Sequence, residues 1–262
     1  ITGTMVTVNP INSTTLQQPS IYTVTYTSTD AAANTATATR TVTIQDTTKP
    51  VITLLGSATK TVEAKGTYAD MGATASDTLD GSLTASVTSV STVNTDAVGS
   101  YSVIYSVSDT NGNAAASVVR TVSVVDTTKP VITMLGNATE TVEAKGTYTD
   151  AGASASDTLD GNLSGSVTSV STVNIDTVGS YTVTYSVSDA NGNAAASAVR
   201  TVSVVDTTKP VITLVGNATE TVEAKGTYTD AGASASDTLD GNLSGSVTSV
   251  STVNTNAAGS YS

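Results

Sequence analysis

The sequence lacks four residue types that carry much of protein chemistry: cysteine, histidine, tryptophan and phenylalanine. Without cysteine there is no disulfide framework, no thiol nucleophile and no thiolate metal site. Without histidine the chain lacks the commonest general base and the commonest ligand of transition metals. Any metal site must therefore use oxygen ligands, which favours calcium over zinc or iron.

The sequence also lacks long apolar runs and has few basic residues. No run approaches the roughly 20 apolar residues of a membrane helix. The formal net charge is −12, from 22 acidic and 10 basic residues. A surface of this sign repels phosphate backbones and anionic lipids, so we expect no nucleic-acid partner and no membrane insertion.

What the sequence has is repetition. The octapeptide DTTKPVIT stands at Asp46–Thr53, Asp126–Thr133 and Asp206–Thr213, 80 residues apart each time. A segment copied at a fixed period is typical of a repeated structural unit. The repetition predicts four segments: 1–45, the C-terminal half of a diverged repeat; 46–125 and 126–205, two whole repeats; and 206–262, the N-terminal part of another.

The second half of each repeat has the pattern of two strands joined by a tight turn. From Tyr101 to Ser108, Tyr and Val alternate with Ser, and Ile104 is the one apolar exception. This period of two is that of a half-buried strand. The Asn-Gly pair in Asp109–Asn113 favours a tight turn, and Val118–Val125 predicts the returning strand.

The first half of each repeat is also predicted to form strands. Thr59–Ala64 and Thr67–Ala75 flank Lys65-Gly66 and predict a hairpin. Leu83–Val93 is either one long strand or two short ones. Several short strands in about 80 residues, closed by Gly and Asn turns, indicate an antiparallel β-sandwich.

The repeated octapeptide has the properties of a joint. Pro50 fixes its own φ angle and removes a hydrogen-bond donor, while Lys49 before it is restricted to extended conformations. Such a joint is short and stiff, unlike a Gly/Ser tether. We therefore expect each copy of the octapeptide to begin a domain.

The motifs DTTKPVITL, TVEAKGTYxD, SDTLDGxL and VGSYxVxYSVSDxNGN together resemble a known family. They are similar to the bacterial Ig-like tandem repeats of giant surface and adhesin proteins, a repeat family also noted in a Cry22-type insecticidal protein. The resemblance covers residues 46–205 fully and both ends in part. Residues 1–45 depart from it, with Ala32-Ala33 where the full repeats have Asn-Gly.

The resemblance implies an all-β protein of tandem Ig-like antiparallel β-sandwiches with an 80-residue period. It also implies that Tyr101 and Tyr181, in the VGSY motif, form the tyrosine corner of such sandwiches. The family has no single activity, so the resemblance alone does not define the function, which depends on the binding or catalytic residues that the chain carries.

Acidic residues recur where a sandwich of this type brings its loops to one end. Carboxylates held about 7 Å apart there repel by roughly 2 kcal/mol per pair at an effective dielectric constant of about 20. A calcium ion at each junction between repeats would relieve that repulsion, since it accepts six to eight oxygen ligands. The candidate ligands are Asp46, Asp77, Asp80, Asp109 and Asn111, then Asp126, Asp157, Asp160, Asp189 and Asn191, then Asp206, Asp237 and Asp240.

A second interpretation of these aspartates stays open. Asp before Asn-Gly often bonds its own backbone, and Asp-Gly is an ordinary turn pair. Asp109–Asn113 is similar to the start of an EF-hand loop, but Gly112 is misplaced and no Glu closes the loop.

No catalytic residues are expected. Glu63 beside Lys65 predicts a solvated ion pair at a hairpin tip rather than a catalytic pair. Asp77 and Asp80 are the kind of carboxylate pair used in glycoside hydrolysis, but the chain has no Trp or Phe to stack a sugar. We therefore expect a protein that is not an enzyme.

The leading functional hypothesis is an extracellular spacer, stalk or filament of a large bacterial surface or adhesion protein. The alternative is a repeated module that binds a polysaccharide or a partner protein by avidity. Expected partners are neighbouring repeats of the same chain and other copies in a filament. Because both end segments are partial repeats, we expect the residues to come from a longer chain.

Overall fold

The computed structural model of the protein describes residues 20–261. Over this range the chain consists of β-strands and turns, with three single-turn 3-10 helices. It divides into two compact units, residues 1–127 and 128–262. The predicted all-β fold is confirmed. Across the described range, no helix has the length and apolar character needed to span a membrane.

The first unit includes a hairpin of two antiparallel strands, β1 (Ser20–Thr29) and β2 (Thr35–Ile44). Asp30 closes its turn, because Oδ1 accepts hydrogen bonds from the amides of Ala32 (2.9 Å) and Asn34 (2.8 Å). The hairpin belongs to the predicted segment 1–45, of which residues 1–19 lie outside the described range.

The rest of the first unit forms two sheets. A three-stranded antiparallel sheet has the order β3-β5-β6, and a four-stranded sheet has the order β4-β9-β8-β7. Between β6 and β7 lies a 3-10 helix, Thr84–Ser86. The strands are β3 (Val51–Leu54), β4 (Thr59–Glu63), β5 (Ala73–Asp77), β6 (Gly81–Ser82), β7 (Thr88–Ser91), β8 (Gly99–Ser106) and β9 (Val118–Val125).

Two expectations about the first half of this repeat need correction. Thr59–Ala64 and Thr67–Ala75 do not form a hairpin, because β4 pairs in parallel with β9, and β5 pairs with β3. Lys65, with a φ of 60°, turns the chain out of β4. Leu83–Val93 is neither one strand nor two, since it contains the 3-10 helix and one short strand.

The core of the repeat follows the alternation predicted for β8. Val103 and Tyr105 are 1% exposed, whereas Ile104 on the opposite face is 38% exposed. Burying each large apolar side chain contributes roughly 1.5–3 kcal/mol. The inward side chains come from both sheets: Ile52, Ala73, Ala75, Leu83, Val103, Tyr105 and Val107.

The predicted tyrosine corner is present. The hydroxyl of Tyr101 donates to the carbonyl oxygen of Ala97 at 2.9 Å, and that of Tyr181 donates to Thr177 at 2.8 Å. Each bond reaches four residues back along the chain and holds the start of a long strand against the loop before it.

A buried arginine that the sequence analysis did not single out lies at the edge of this core. Arg120 is 2% exposed, and its guanidinium donates to the Asp70 carboxylate and to the Tyr105 hydroxyl. Its remaining donors are satisfied by the carbonyl oxygens of Leu55, Ser57 and Gly72. The charge is therefore both paired and hydrogen-bonded, as a buried charge must be.

The same network perturbs its acidic members. Burial alone would raise the pKa of Asp70, but hydrogen bonds from Tyr105 and Tyr68 and the charge of Arg120 hold that pKa below its usual value. Burial and the neighbouring carboxylate raise the pKa of Tyr105 to about 12.

The second unit repeats this architecture with the sheet orders β10-β12-β13 and β11-β16-β15-β14. Arg200 bonds to Asp150 there as Arg120 bonds to Asp70. A 3-10 helix, Ser164–Ser166, precedes β14. The strands are β10 (Val131–Met134), β11 (Thr139–Glu143), β12 (Ala153–Asp157), β13 (Gly161–Asn162), β14 (Thr168–Ser171), β15 (Gly179–Ser186) and β16 (Ala198–Val205).

The remaining part of the second unit contains only one of the two sheets. Its strands are β17 (Val211–Leu214), β18 (Ala233–Asp237) and β19 (Gly241–Asn242), followed by a 3-10 helix at Ser244–Ser246. Residues 219–223, which correspond to β11, form no strand. The reason is that β11 pairs with β16, and β16 has no counterpart after residue 206 in this sequence.

Candidate metal centre

Three aspartates of the first unit meet beside the start of β3. Asp77 is the last residue of β5, Asp80 lies in the turn that follows, and Asp46 lies between β2 and β3. The antiparallel pairing of β3 with β5 places the end of β5 beside the start of β3. One carboxylate oxygen from each aspartate lies within 4.8 Å of the other two.

Each of two carboxylates in this cluster uses one oxygen for a turn and leaves the other unpaired. Asp77 Oδ1 accepts hydrogen bonds from the amides of Leu79 (2.7 Å) and Asp80 (3.2 Å). Asp46 Oδ1 accepts one from the amide of Thr48 (2.9 Å). The Oδ2 atoms of Asp46 and Asp77 are buried and have no hydrogen-bond partner among the described residues.

Asp80 connects the cluster to the loop between β8 and β9. Its Oδ2 accepts a hydrogen bond from the amide of Thr110 at 3.0 Å, and its Oδ1 accepts one from the Thr110 hydroxyl at 2.8 Å. The side-chain amide of Asn113 donates to the backbone carbonyl oxygen of Asp46 at 3.2 Å. These bonds hold the loop against the three aspartates.

Asn111, which follows Thr110 in that loop, also has an unpaired oxygen, in addition to Oδ2 of Asp46 and Asp77. Its Oδ1 is buried and has no hydrogen-bond partner among residues 20–261. Thr110 and Asn113, which flank Asn111 in the loop, bond to Asp80 and Asp46, so the loop that carries Asn111 lies against the cluster. An unsatisfied buried acceptor costs about 1–3 kcal/mol, so its presence calls for a ligand or another compensation.

Asp109 serves the turn instead of the cluster. Its Oδ1 accepts hydrogen bonds from the amides of Asn111 (2.9 Å) and Asn113 (2.7 Å), and its Oδ2 accepts one from the Asn113 side chain (2.8 Å). Burial opposes the charge, but these bonds hold the pKa of Asp109 below its usual value. The structure thus gives Asp109 the turn chemistry that the sequence left open.

The third copy of the pattern lies within the second unit. Asp206, Asp237 and Asp240 also place one oxygen each within 4.8 Å of the others. Asp237 Oδ2 is again buried without a partner in the described part of the chain. Burial, and after it the nearby charge of Asp237, raise the pKa of Asp206 above its ordinary value.

The middle copy has the same local chemistry. Asp157 Oδ1 accepts hydrogen bonds from the amides of Leu159 (2.7 Å) and Asp160 (3.1 Å), and Asp160 Oδ2 accepts one from the amide of Ala190 (2.9 Å). Asp157 Oδ2 is buried and unpaired within residues 20–261. The other predicted residues are Asp189, which bonds to the amides of its own turn, Asn191 in that turn, and Asp126, which directly follows β9.

The first cluster carries charge that no basic side chain neutralises. None of the ion pairs within residues 20–261 involves Asp46, Asp77 or Asp80. Two charges about 5 Å apart repel by roughly 3 kcal/mol at an effective dielectric constant of 20. A bound cation would turn this repulsion into attraction.

A second polar site, for which the sequence predicted a different pairing, lies where the chain leaves the last strand of each full repeat. Glu63 accepts hydrogen bonds from the amide (2.7 Å) and hydroxyl (2.9 Å) of Thr127, at the end of the same unit. Lys65 pairs with Asp96 at 3.0 Å. The predicted Glu63–Lys65 ion pair is therefore wrong, because Glu63 lies at the end of β4 and meets the chain leaving β9.

In the second unit the equivalent glutamate is Glu143. The carboxylate of Glu143 accepts hydrogen bonds from the amides of Thr207 (2.7 Å) and Thr208 (3.0 Å). It also accepts from their hydroxyls at 2.8 and 2.9 Å. The bonds from Thr207 and Thr208 lower the pKa of Glu143 to about 2, so the carboxylate stays charged well into the acidic range.

A cavity of about 510 Å³ lies in the last part of the second unit, lined by residues 217–224 and 253–261 with Tyr228. The counterparts of β15 and β16 would pack there in a full repeat. The cavity is the uncovered interior of a partial sandwich rather than a built ligand site.

Comparison with solved structures finds weak similarity to proteins of two other bacteria. A catalytic domain with two CBM51 domains from Clostridium perfringens is 15% identical, with 73% of this chain and 35% of that chain covered and a TM-score of 0.35. A lipoprotein from Bacteroides thetaiotaomicron is 14% identical, with 58% and 98% covered and a TM-score of 0.27. The chain spans about a third of the length of the first, and neither TM-score supports an argument.

Comparison with protein families is decisive, although a search of curated proteins found no significant match. The family model described as "Bacterial surface protein, Ig-like domain" matches residues 52–124, 132–204 and 212–262. The matches start 80 residues apart, at the period of the octapeptide, and together they cover most of the sequence. The chain therefore belongs to the family of bacterial surface protein Ig-like domains.

Proposed function

We propose that the chain is part of an extracellular spacer of a bacterial surface protein, in which Ig-like repeats follow one another through short, held joints. Membership of a surface-protein family supports the location. The observation that carries the proposal is the joint of the second unit, where Glu143 accepts four hydrogen bonds from Thr207 and Thr208. A flexible tether would leave these amides to solvent.

The residues of the joint suit this function. Thr207 and Thr208 precede Lys209 and Pro210, and proline restricts both its own backbone and that of the residue before it. Hydrogen bonds at one end of a five-residue joint and a proline at the other leave few free torsions. Such a joint transmits orientation from one repeat to the next, which a stalk or filament needs.

The stiffness of this joint can be measured by distance spectroscopy on the full chain. The sequence has no cysteine, so Val170→Cys and Leu214→Cys provide two unique positions for spin labels, both on exposed side chains. We expect a narrow distance distribution that Glu143→Ala broadens, because the four bonds are lost. The matched control is Glu223→Ala, the equivalent glutamate of segment 206–262, which lies outside the joint between the two labels.

Two results would contradict the spacer. A broad distribution in the chain with Glu143 intact would show a flexible tether. Binding of the intact chain to a defined class of sugar on a glycan array would favour the alternative, a repeated polysaccharide-binding module, since a spacer binds none.

A further inference from the structure

We propose that a calcium ion binds beside the start of β3, held by Asp46, Asp77 and Asp80 with the side-chain oxygen of Asn111. An equivalent ion binds at Asp206, Asp237 and Asp240 in the second unit. This metal site goes beyond the spacer function, which rests on the Glu143 joint and does not require a metal.

The unpaired oxygens point to a ligand independently of the acidic cluster. Asp77 is 8% exposed, and its Oδ2 is fully buried without a hydrogen-bond partner in the described chain. Asp46 Oδ2 and Asn111 Oδ1 are in the same condition. Three buried acceptors therefore lack a donor, and two of them belong to carboxylates. Buried polar groups are normally satisfied, and a cation bound here would satisfy these oxygens.

The repetition of the same unpaired atom separates the two interpretations of the aspartates. Turn chemistry accounts for Oδ1 of Asp77, Asp157 and Asp237, each of which caps two amides. It does not account for Oδ2, which is buried and unpaired in all three copies within residues 20–261. One oxygen builds the turn, and the other is left buried without a partner beside two further carboxylates in the first and third copies.

The donor set identifies the ion as calcium. All candidate ligands are carboxylate or amide oxygens, and the chain has no histidine or cysteine to attract zinc, copper or iron. Calcium–oxygen distances of 2.3–2.6 Å place two ligands of one ion up to about 5 Å apart, which suits oxygens within 4.8 Å of one another. Solvent would complete the six to eight ligands that calcium takes.

The test is calcium titration of the full, isotope-labelled chain followed by amide NMR. We expect saturable shifts at residues 77–80 and 109–113, with a dissociation constant on the order of 10⁻⁴ to 10⁻³ M, the range of extracellular calcium modules. Asp77→Asn keeps the Oδ1 acceptor for the amides of Leu79 and Asp80, so the turn persists while the charge is lost. It should weaken binding at this site at least about tenfold.

Two variants control the experiment. Asp96→Asn makes the same charge change at an exposed residue outside the cluster and should leave both sites unchanged. Asp237→Asn should remove binding near residues 237–240 and leave the first site intact.

The proposal is overturned if calcium up to about 10 mM produces no saturable shift at these residues. It is also overturned if Asp77→Asn titrates like Asp96→Asn, or if magnesium gives the same shifts at the same concentrations. None of these outcomes affects the spin-label test of the joint.

Discussion

At the residue scale, the side chain that distinguishes this core is a buried arginine. Its burial could have been predicted, because Arg120 shares one face of β9 with Val118, Val122 and Val124 at a period of two. Its partner could not, since Asp70 lies in a loop distant in sequence and outside any strand. The alternation of apolar and polar residues predicts which side chains of a strand are buried, but it does not predict which residues they contact.

Removal of this partner should be costly. Asp70→Ala leaves the charge of Arg120 buried without its counter-ion, and breaking a buried pair in this way costs about 3–5 kcal/mol. We expect the loss in denaturant unfolding of the full chain, in the transition that abolishes the Val103 and Tyr105 amide signals. Asp96→Ala breaks the exposed pair with Lys65 and should cost less than about 1 kcal/mol. Equal losses in the two variants would show that the buried pair contributes nothing special.

The closeness of the three aspartates was predicted from the sandwich topology that the family resemblance implied, because their spacing in sequence is wide. The topology of an Ig-like sandwich was expected to gather Asp46, Asp77 and Asp80, and the structure brings one carboxylate oxygen of each within 4.8 Å of the others. What the topology could not predict is which carboxylate oxygens accept hydrogen bonds from their own turns and which stay unpaired. Both carboxylate oxygens of Asp109 accept hydrogen bonds from its own turn, whereas only one oxygen of Asp77 does. The difference depends on the backbone geometry at the end of each strand.

At the scale of elements, the strands with strict alternation were predictable and the parallel pairing was not. Tyr101–Ser108 and Val118–Val125 match β8 and β9 within two residues. β4 pairs with β9, which follows it only at the end of the repeat. Parallel strands this far apart in sequence are not joined by a tight turn, so no turn motif predicts their pairing. The same dependence on a remote partner explains why residues 219–223 form no strand.

That explanation makes a prediction about an extended chain. Adding a copy of residues 183–205 after Ser262 would supply the counterparts of β15 and β16. We expect residues 219–223 then to form the parallel strand and their amides, such as that of Val222, to become protected from hydrogen exchange.

The matched control for the extended chain is a shorter extension. A copy of residues 183–197 supplies the rest of β15 but not β16, so it should leave Val222 unprotected. Protection of Val222 in the shorter extension, or its absence in the longer one, would contradict the requirement for β16.

The joint between repeats should respond to acid through Glu143. Its pKa falls from 4.5 to about 2 in the folded state, so its bonds stabilise the joint fully above pH 4.5 and are lost as the pH falls through about 2. We expect the amides of Thr207 and Thr208 to stay protected at pH 4 and to lose protection towards pH 2. The amide of Val202 inside β16 reports whether the repeat itself is still folded.

Glu143→Gln is the control for this titration. Glutamine keeps one acceptor but cannot ionise, so the protection of Thr207 and Thr208 should be weaker and independent of pH over the same range. A pH response that survives this substitution would assign the titration to another group.

At the scale of the whole chain, each stabilising device occurs more than once. Arg120 and Arg200 hold the two full repeats, and Glu63 and Glu143 hold the segments that follow them. A domain of about 80 residues buries only about 60–65% of its unfolded surface, so its apolar core alone gives modest stability. Polar networks and joints therefore carry a larger share of the stability here than in a large domain.

The parallel pairing of β4 with β9 has a mechanical consequence. Because the two strands run in the same direction, the start of β4 and the end of β9 lie at opposite ends of their ladder. Tension along the chain would slide one strand past the other and load every bond of the ladder in shear at once. An antiparallel pair pulled from one end would instead unzip bond by bond at far lower force.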